Sequence, residues 1–107
     1  MKWLETIKVQ AASGWELTLE NELTALVHDV RKSSECPGLR EALLCKHVVV
    51  PGYFALYLFW ETESPQIQGS MLGLQLRQTL KTFGLVDHTL WTEQMEGKES
   101  SSYGKES

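Results

Sequence analysis

An α+β fold, with two helices on one face of a four-stranded antiparallel sheet, is what this sequence predicts, and three observations predict it. Apolar residues recur at strand, helix, strand, strand, helix and strand spacing in turn, which is the order βαββαβ. Pro51-Gly52 stands between two strand-like runs and suits a tight turn, so the second and third strands form a hairpin. Residues 53–60 read Tyr-Phe-Ala-Leu-Tyr-Leu-Phe-Trp, apolar or aromatic at every position. Successive strand side chains point to opposite faces, so this strand is apolar on both and needs cover on both. Two helices cover one face, and a second copy of the chain is the simplest cover for the other.

The first strand is expected over Leu4–Ala11, with Ile7 and Val9 on one face and Thr6, Lys8 and Gln10 on the other. Ser13-Gly14 ends it. A helix then starts near Trp15 or Leu17, with Glu16, Glu20 and Glu22 toward its positive end and Arg31 and Lys32 at its negative end. Leu19, Leu23, Leu26, Val27 and Val30 form its apolar stripe. Pro37-Gly38 breaks the chain before a second strand over 39–50, and Tyr53 opens the third. Glu61–Gln68 is a polar connector containing Pro65.

The second helix begins near Gly69 or Ser70, with Ser70 placed to cap it. Leu72, Leu76, Leu80 and Phe83 supply its stripe, and Gly84 is its expected C-cap. A fourth strand follows from Val86 to about Gln94. Right-handed crossovers place strands one and three at the centre of the sheet, a ferredoxin-like arrangement. Residues 1–94 thus make one domain, and 95–107 read as a flexible polar tail with almost nothing to bury.

Composition excludes several functions. A formal net charge of −4 offers no basic footprint for nucleic acid and no attraction to anionic membranes. No apolar stretch approaches the roughly 20 residues that cross a bilayer. The opening Met-Lys-Trp-Leu-Glu-Thr puts an acid where a signal peptide is apolar, and Cys36 and Cys45 fit a reducing compartment, so the cytoplasm is expected.

The helix after Ser13-Gly14, the Cys36-Pro37-Gly38 turn and the hairpin ending in Leu58-Phe59-Trp60-Glu61 come in a telling order. They are followed by Gly84-Leu85-Val86 and a last strand carrying His88 and Trp91. Over residues 4–94 this order resembles the antibiotic-biosynthesis-monooxygenase-like (ABM) family of the dimeric α+β barrel superfamily. The resemblance implies a homodimer joined sheet to sheet, with Tyr53, Tyr57 and Phe59 in its interface. It also implies a pocket between each sheet and its helices, which Ile7, Val27, Leu76 and Leu90 would line. Some members of that family oxygenate polyketide-like aromatics without metal or flavin; others degrade heme. In the heme-degrading branch a strand-one Asn and a helix-two His join the strand-three Trp. Here Trp60 matches the Trp, but Ile7 stands at the Asn position and residues 66–83 hold no His. The heme reading is set aside.

Trp60, by that match, and His88, which shares a strand face with Val86 and Leu90, are the candidate catalytic residues, Trp60 to orient an aromatic substrate and His88 to assist proton transfer. Each has a plainer role as a core residue satisfied by one hydrogen bond. Cys45 and His47 share a strand face but lack a second ligand pair, so no metal site is expected. Neither Cys has a nucleophile's setting. No cofactor is expected. Two readings remain open: a cofactor-independent monooxygenase-like enzyme for a small aromatic, or a non-catalytic dimeric module that binds a small hydrophobic ligand or only assembles.

Overall fold

The computed structural model describes residues 1–92, so the tail expected over 95–107 lies outside the described residues. The elements are β1 (Lys2–Ala11), α1 (Glu16–Lys32), β2 (Leu39–Lys46), β3 (Tyr53–Glu61), α2 (Met71–Leu80) and β4 (Gly84–Thr92). The strands form one antiparallel sheet in the order β2-β3-β1-β4. Strands one and three are central, as right-handed crossovers require.

The alternation in β3 sorts its two faces. Phe54, Leu56, Leu58 and Trp60 are buried at 0–5% exposure, packed with Leu19, Leu23 and Val27 of α1 and Leu76 and Leu80 of α2. Both helices thus lie on one face. Tyr53, Ala55 and Tyr57 on the opposite face are half-buried, and Phe59 is exposed. Leu43 and Cys45 of β2 pair with Tyr57 and Ala55, and Leu4 of β1 pairs with Phe59, so they share that open face.

Element boundaries depart from sequence expectation in three places, each for a local reason. β1 begins two residues early because Lys2 and Trp3 pair with Glu61 and Trp60. The strand expected to reach Val50 ends at Lys46. The His47 ring accepts the Val49 and Val50 amides at 3.0 and 2.9 Å and turns the chain before Gly52, which adopts φ +71°. Gly84 is not a helix cap. It opens β4, where a Cβ would collide with the carbonyl of Gln10 on β1, so glycine permits the close strand approach.

Ser70 caps α2 as expected: its hydroxyl accepts the Gly73 amide at 2.9 Å. α1 has no such side-chain cap, and Trp15 at its start packs edge-on against Phe83. Its stability comes instead from the buried stripe and from Arg31, whose Nε donates to the Ala42 carbonyl of β2 at 2.8 Å. Among the described residues, no helix is long and apolar enough to cross a membrane.

Candidate functional site

The β1 alternation puts an acid in the core, at a position already inside the expected strand. Trp3, Glu5, Ile7 and Val9 all point under the helices, and Glu5 is completely buried. An ionised carboxylate away from water is tolerated only if its lone pairs are met by donors. Here they are. Oε1 accepts the Trp60 Nε1–H at 3.0 Å and the Ser70 hydroxyl at 2.6 Å. Oε2 accepts the Ser70 amide at 3.1 Å and lies 2.6 Å from His88 Nε2. The carboxylate also sits at the N-terminus of α2, where the free amides and the helix dipole favour negative charge.

Glycines make this approach possible. A Cβ on Gly73, one turn into α2, would stand 2.8 Å from Glu5 Oε1 and closer still to Oε2. Gly69, at φ +104°, precedes the cap, and a Cβ there would come within 2.6 Å of His88 Cε1 and 3.2 Å of Glu5 Oε2. The Gly69-Ser70-Met71-Leu72-Gly73 stretch, read from the sequence as a close entry of the helix onto the sheet, therefore packs on a particular pair of side chains.

His88 lies beside Ile7 in the β1–β4 register, with its side chain only 3% exposed. Its second ring nitrogen, Nδ1, stands 3.4 Å from Arg77 NH1 on α2. Glu5, His88 and Arg77 thus form a row from the core to the half-buried flank of the helix. Trp60 stacks on Trp3, with ring centroids 5.5 Å apart and planes 15° apart.

The two residues singled out in the sequence, Trp60 and His88, come together: both bind the same carboxylate from opposite sides of β1. The sequence reading missed that carboxylate, along with Ser70 and Arg77 as members of the cluster. Ile7, Val27 and Leu76 are buried in the core, and Leu90 packs against it. A groove of about 580 Å³ lies at the end of the sheet, bordered by Trp3, Phe59, Trp60 and Trp91 with Lys2 and Arg40. Trp60 belongs to both places, its N–H on Glu5 and its ring on the groove. A second cavity, of about 460 Å³, lies on the open face beside Tyr53, Tyr57, Lys8 and His47. His47 is occupied by its turn and by stacking on Tyr53 at 5.3 Å, and Cys45 is a free thiol on the open face.

Solved structures share this fold. A Mycobacterium tuberculosis protein, Rv0793, superposes with a TM-score of 0.66 at 16% identity, covering 92% of this chain and 100% of its own. SnoaB, a cofactor-independent oxygenase from Streptomyces nogalater, gives 0.64 at 11% identity, over 92% of this chain and 98% of its own. A candidate antibiotic biosynthesis monooxygenase from Deinococcus radiodurans gives 0.60 at 13%, over 86% and 92%. The chain has the antibiotic biosynthesis monooxygenase fold. The family resemblance read from the sequence is met at that level, with the ferredoxin-like βαββαβ order in place. No protein-family profile matches the sequence, and no curated protein gives a significant match. At these identities the likeness speaks for the ABM fold rather than for a substrate.

Proposed function

We propose that this ABM-fold chain is a cofactor-independent oxygenase for a small phenol- or quinol-like aromatic, with Trp60 and His88 at its reaction centre. One observation carries the reading: residues from β3 and β4, far apart in sequence, converge on one buried carboxylate beside an arginine. Buried titratable side chains gathered from separate elements, with a base, its orienting partner and a cation in one row, are the parts from which an active site is built. The name of SnoaB, which is that of a cofactor-independent oxygenase, supports the same class.

In this reading the His88 nitrogen that faces Arg77 takes the hydroxyl proton of the substrate, and the guanidinium holds the phenolate or enolate that results. That anion is itself the reductant. A CH₂ group conjugated to it becomes C=O as it gives four electrons to one dioxygen; one oxygen atom enters the product and the other leaves as water. The aromatic groove beside Trp60 suits a flat ring, and because His88 and Arg77 do not line it, α2 must shift for the substrate hydroxyl to reach them. A second copy of the chain, laid over Tyr53, Tyr57 and Phe59, covers the open face.

The test is oxygen uptake by the purified protein with a panel of phenols and quinols. His88→Ala is expected to lower turnover by about 10²–10⁴-fold, the usual worth of a positioned acid or base. Trp60→Phe, which removes only the indole N–H and its contact, is expected to lower it as well, with the far-ultraviolet circular dichroism of both variants unchanged. Uptake that persists undiminished in His88→Ala refutes the assignment.

A second reading, a dimeric module without chemistry, is favoured by a different observation. Glu5 has every lone pair occupied and is fully buried, as expected of a structural core network. Absence of oxygen uptake across the panel, together with intact assembly, selects it.

A further inference from the structure

The Glu5–His88 contact has a directional consequence, and it rests on the reading of His88 as the proton acceptor. We infer that Glu5 is a positioning residue: it fixes His88 as the Nε2–H tautomer and so turns the bare Nδ1 toward Arg77.

The argument starts from the donors and acceptors available to the ring. A neutral imidazole carries one N–H and one lone pair, and which nitrogen has which is set by its neighbours. At Nε2 the neighbour is a carboxylate oxygen 2.6 Å away, which accepts only. At Nδ1 the neighbour is a guanidinium nitrogen 3.4 Å away, which donates only. Both contacts are satisfied by one arrangement: Nε2–H donates to Glu5 Oε2, and Nδ1 accepts from Arg77. The opposite tautomer sets a lone pair against the carboxylate and an N–H against the guanidinium, and loses both.

The carboxylate cannot turn away to relax this choice. Three further donors hold it, namely the Trp60 Nε1–H, the Ser70 hydroxyl and the Ser70 amide. Gly73 and Gly69 let α2 close over it so tightly that a methyl group at either position would strike the Glu5–His88 pair. Ser70 and the indole N–H of Trp60 therefore act on His88 through Glu5, while Trp60 also borders the groove. This is the arrangement a carboxylate needs to orient a general base without itself taking the proton.

The test reads the tautomer directly. Long-range proton–nitrogen correlation spectra of nitrogen-15-labelled protein distinguish a protonated, pyrrole-type ring nitrogen from a bare, pyridine-type one. His88 is identified among the three histidines by the signals lost in His88→Gln. Expected in the unsubstituted protein is a pyrrole-type Nε2 and a pyridine-type Nδ1. In Glu5→Gln the charge is gone and one oxygen is left for the donors of Trp60, Ser70 and His88, so the Nε2–H form is expected to lose its dominance, while Arg77→Met is expected to keep it. A pyrrole-type Nδ1 in the unsubstituted protein overturns the inference, as does an Nε2–H form that survives unchanged in a folded Glu5→Gln. If Glu5→Gln does not fold, the unsubstituted spectrum decides. Loss of oxygen uptake is not the readout, so failure of the oxygenase reading and failure of this inference are told apart.

Discussion

Gly73→Ala is the substitution that most sharply tests the placement of Glu5. In an ordinary helix the change is favourable, since alanine is the better helix former by about 0.8–1.0 kcal/mol. At residue 73 the added methyl falls among the carboxylate atoms of Glu5, 2.8 Å from Oε1 and nearer to Oε2, where an ordinary contact is 3.4 Å or more. Either α2 lifts from the sheet or Glu5 moves, and both stretch the hydrogen bonds from Ser70. Bonds to a charged group contribute about 1.5–3 kcal/mol each, so losing two costs about 3–6 kcal/mol. Against the gain in helix propensity, Gly73→Ala is expected to destabilise by about 2–5 kcal/mol. Urea unfolding followed by circular dichroism measures it, as a lower midpoint at unchanged slope. The double-mutant cycle with Glu5→Gln sharpens the result, because the two residues are in contact and their effects must not add. A Gly73→Ala protein as stable as its parent, or more so, would mean that the carboxylate is not beneath the helix.

Ser70→Ala removes both the cap of α2 and a donor to Glu5. Its expected cost is about 2–4 kcal/mol, the cap contributing about 1 and the charged bond the remainder, again read from urea midpoints. Tyr57→Glu places a charge in the middle of the open face; light scattering after size-exclusion chromatography is expected to show a dimer for the parent chain and a monomer for the variant. A parent chain that runs as a monomer ends the sheet-to-sheet proposal. Gly52→Ala is expected to destabilise the β2–β3 turn, because alanine resists φ +71° and its methyl would strike the Glu16 side chain.

The fold was legible because each element carries its own period. β3 declared itself by the unbroken apolar run of residues 53–60, right-handed crossovers placed it in the middle of the sheet, and Pro51-Gly52 joined it to β2. α2 announced its start through Ser70. The misread boundaries are those decided by a side chain rather than by a period. Nothing in the spacing of β2 says that the His47 ring will gather two amides and stop the strand. Gly84 looks like a cap by position along the chain, but its freedom is used against β1, a neighbour that sequence order does not reveal.

The site was half legible for a related reason. Trp60 and His88 were found because a resemblance points to one and strand alternation to the other. Glu5 was available to the same alternation: within the strand expected over Leu4–Ala11 an acid already falls on the face of Ile7 and Val9, and a charge on an apolar face needs partners. What no local pattern supplies is who the partners are. They lie 55, 65 and 83 residues along the chain, on three different elements, brought together only when the sheet orders as β2-β3-β1-β4 and α2 closes over it. The cluster is therefore a product of topology. That has a consequence for its chemistry: a base oriented by contacts from three separate elements keeps its geometry only while all three are docked. Loosening α2, as Gly73→Ala does, is then expected to disorder His88 before it unfolds the sheet. Broadening of the His88 ring signals under conditions where the β1 and β3 amides still resist exchange would show that order of events.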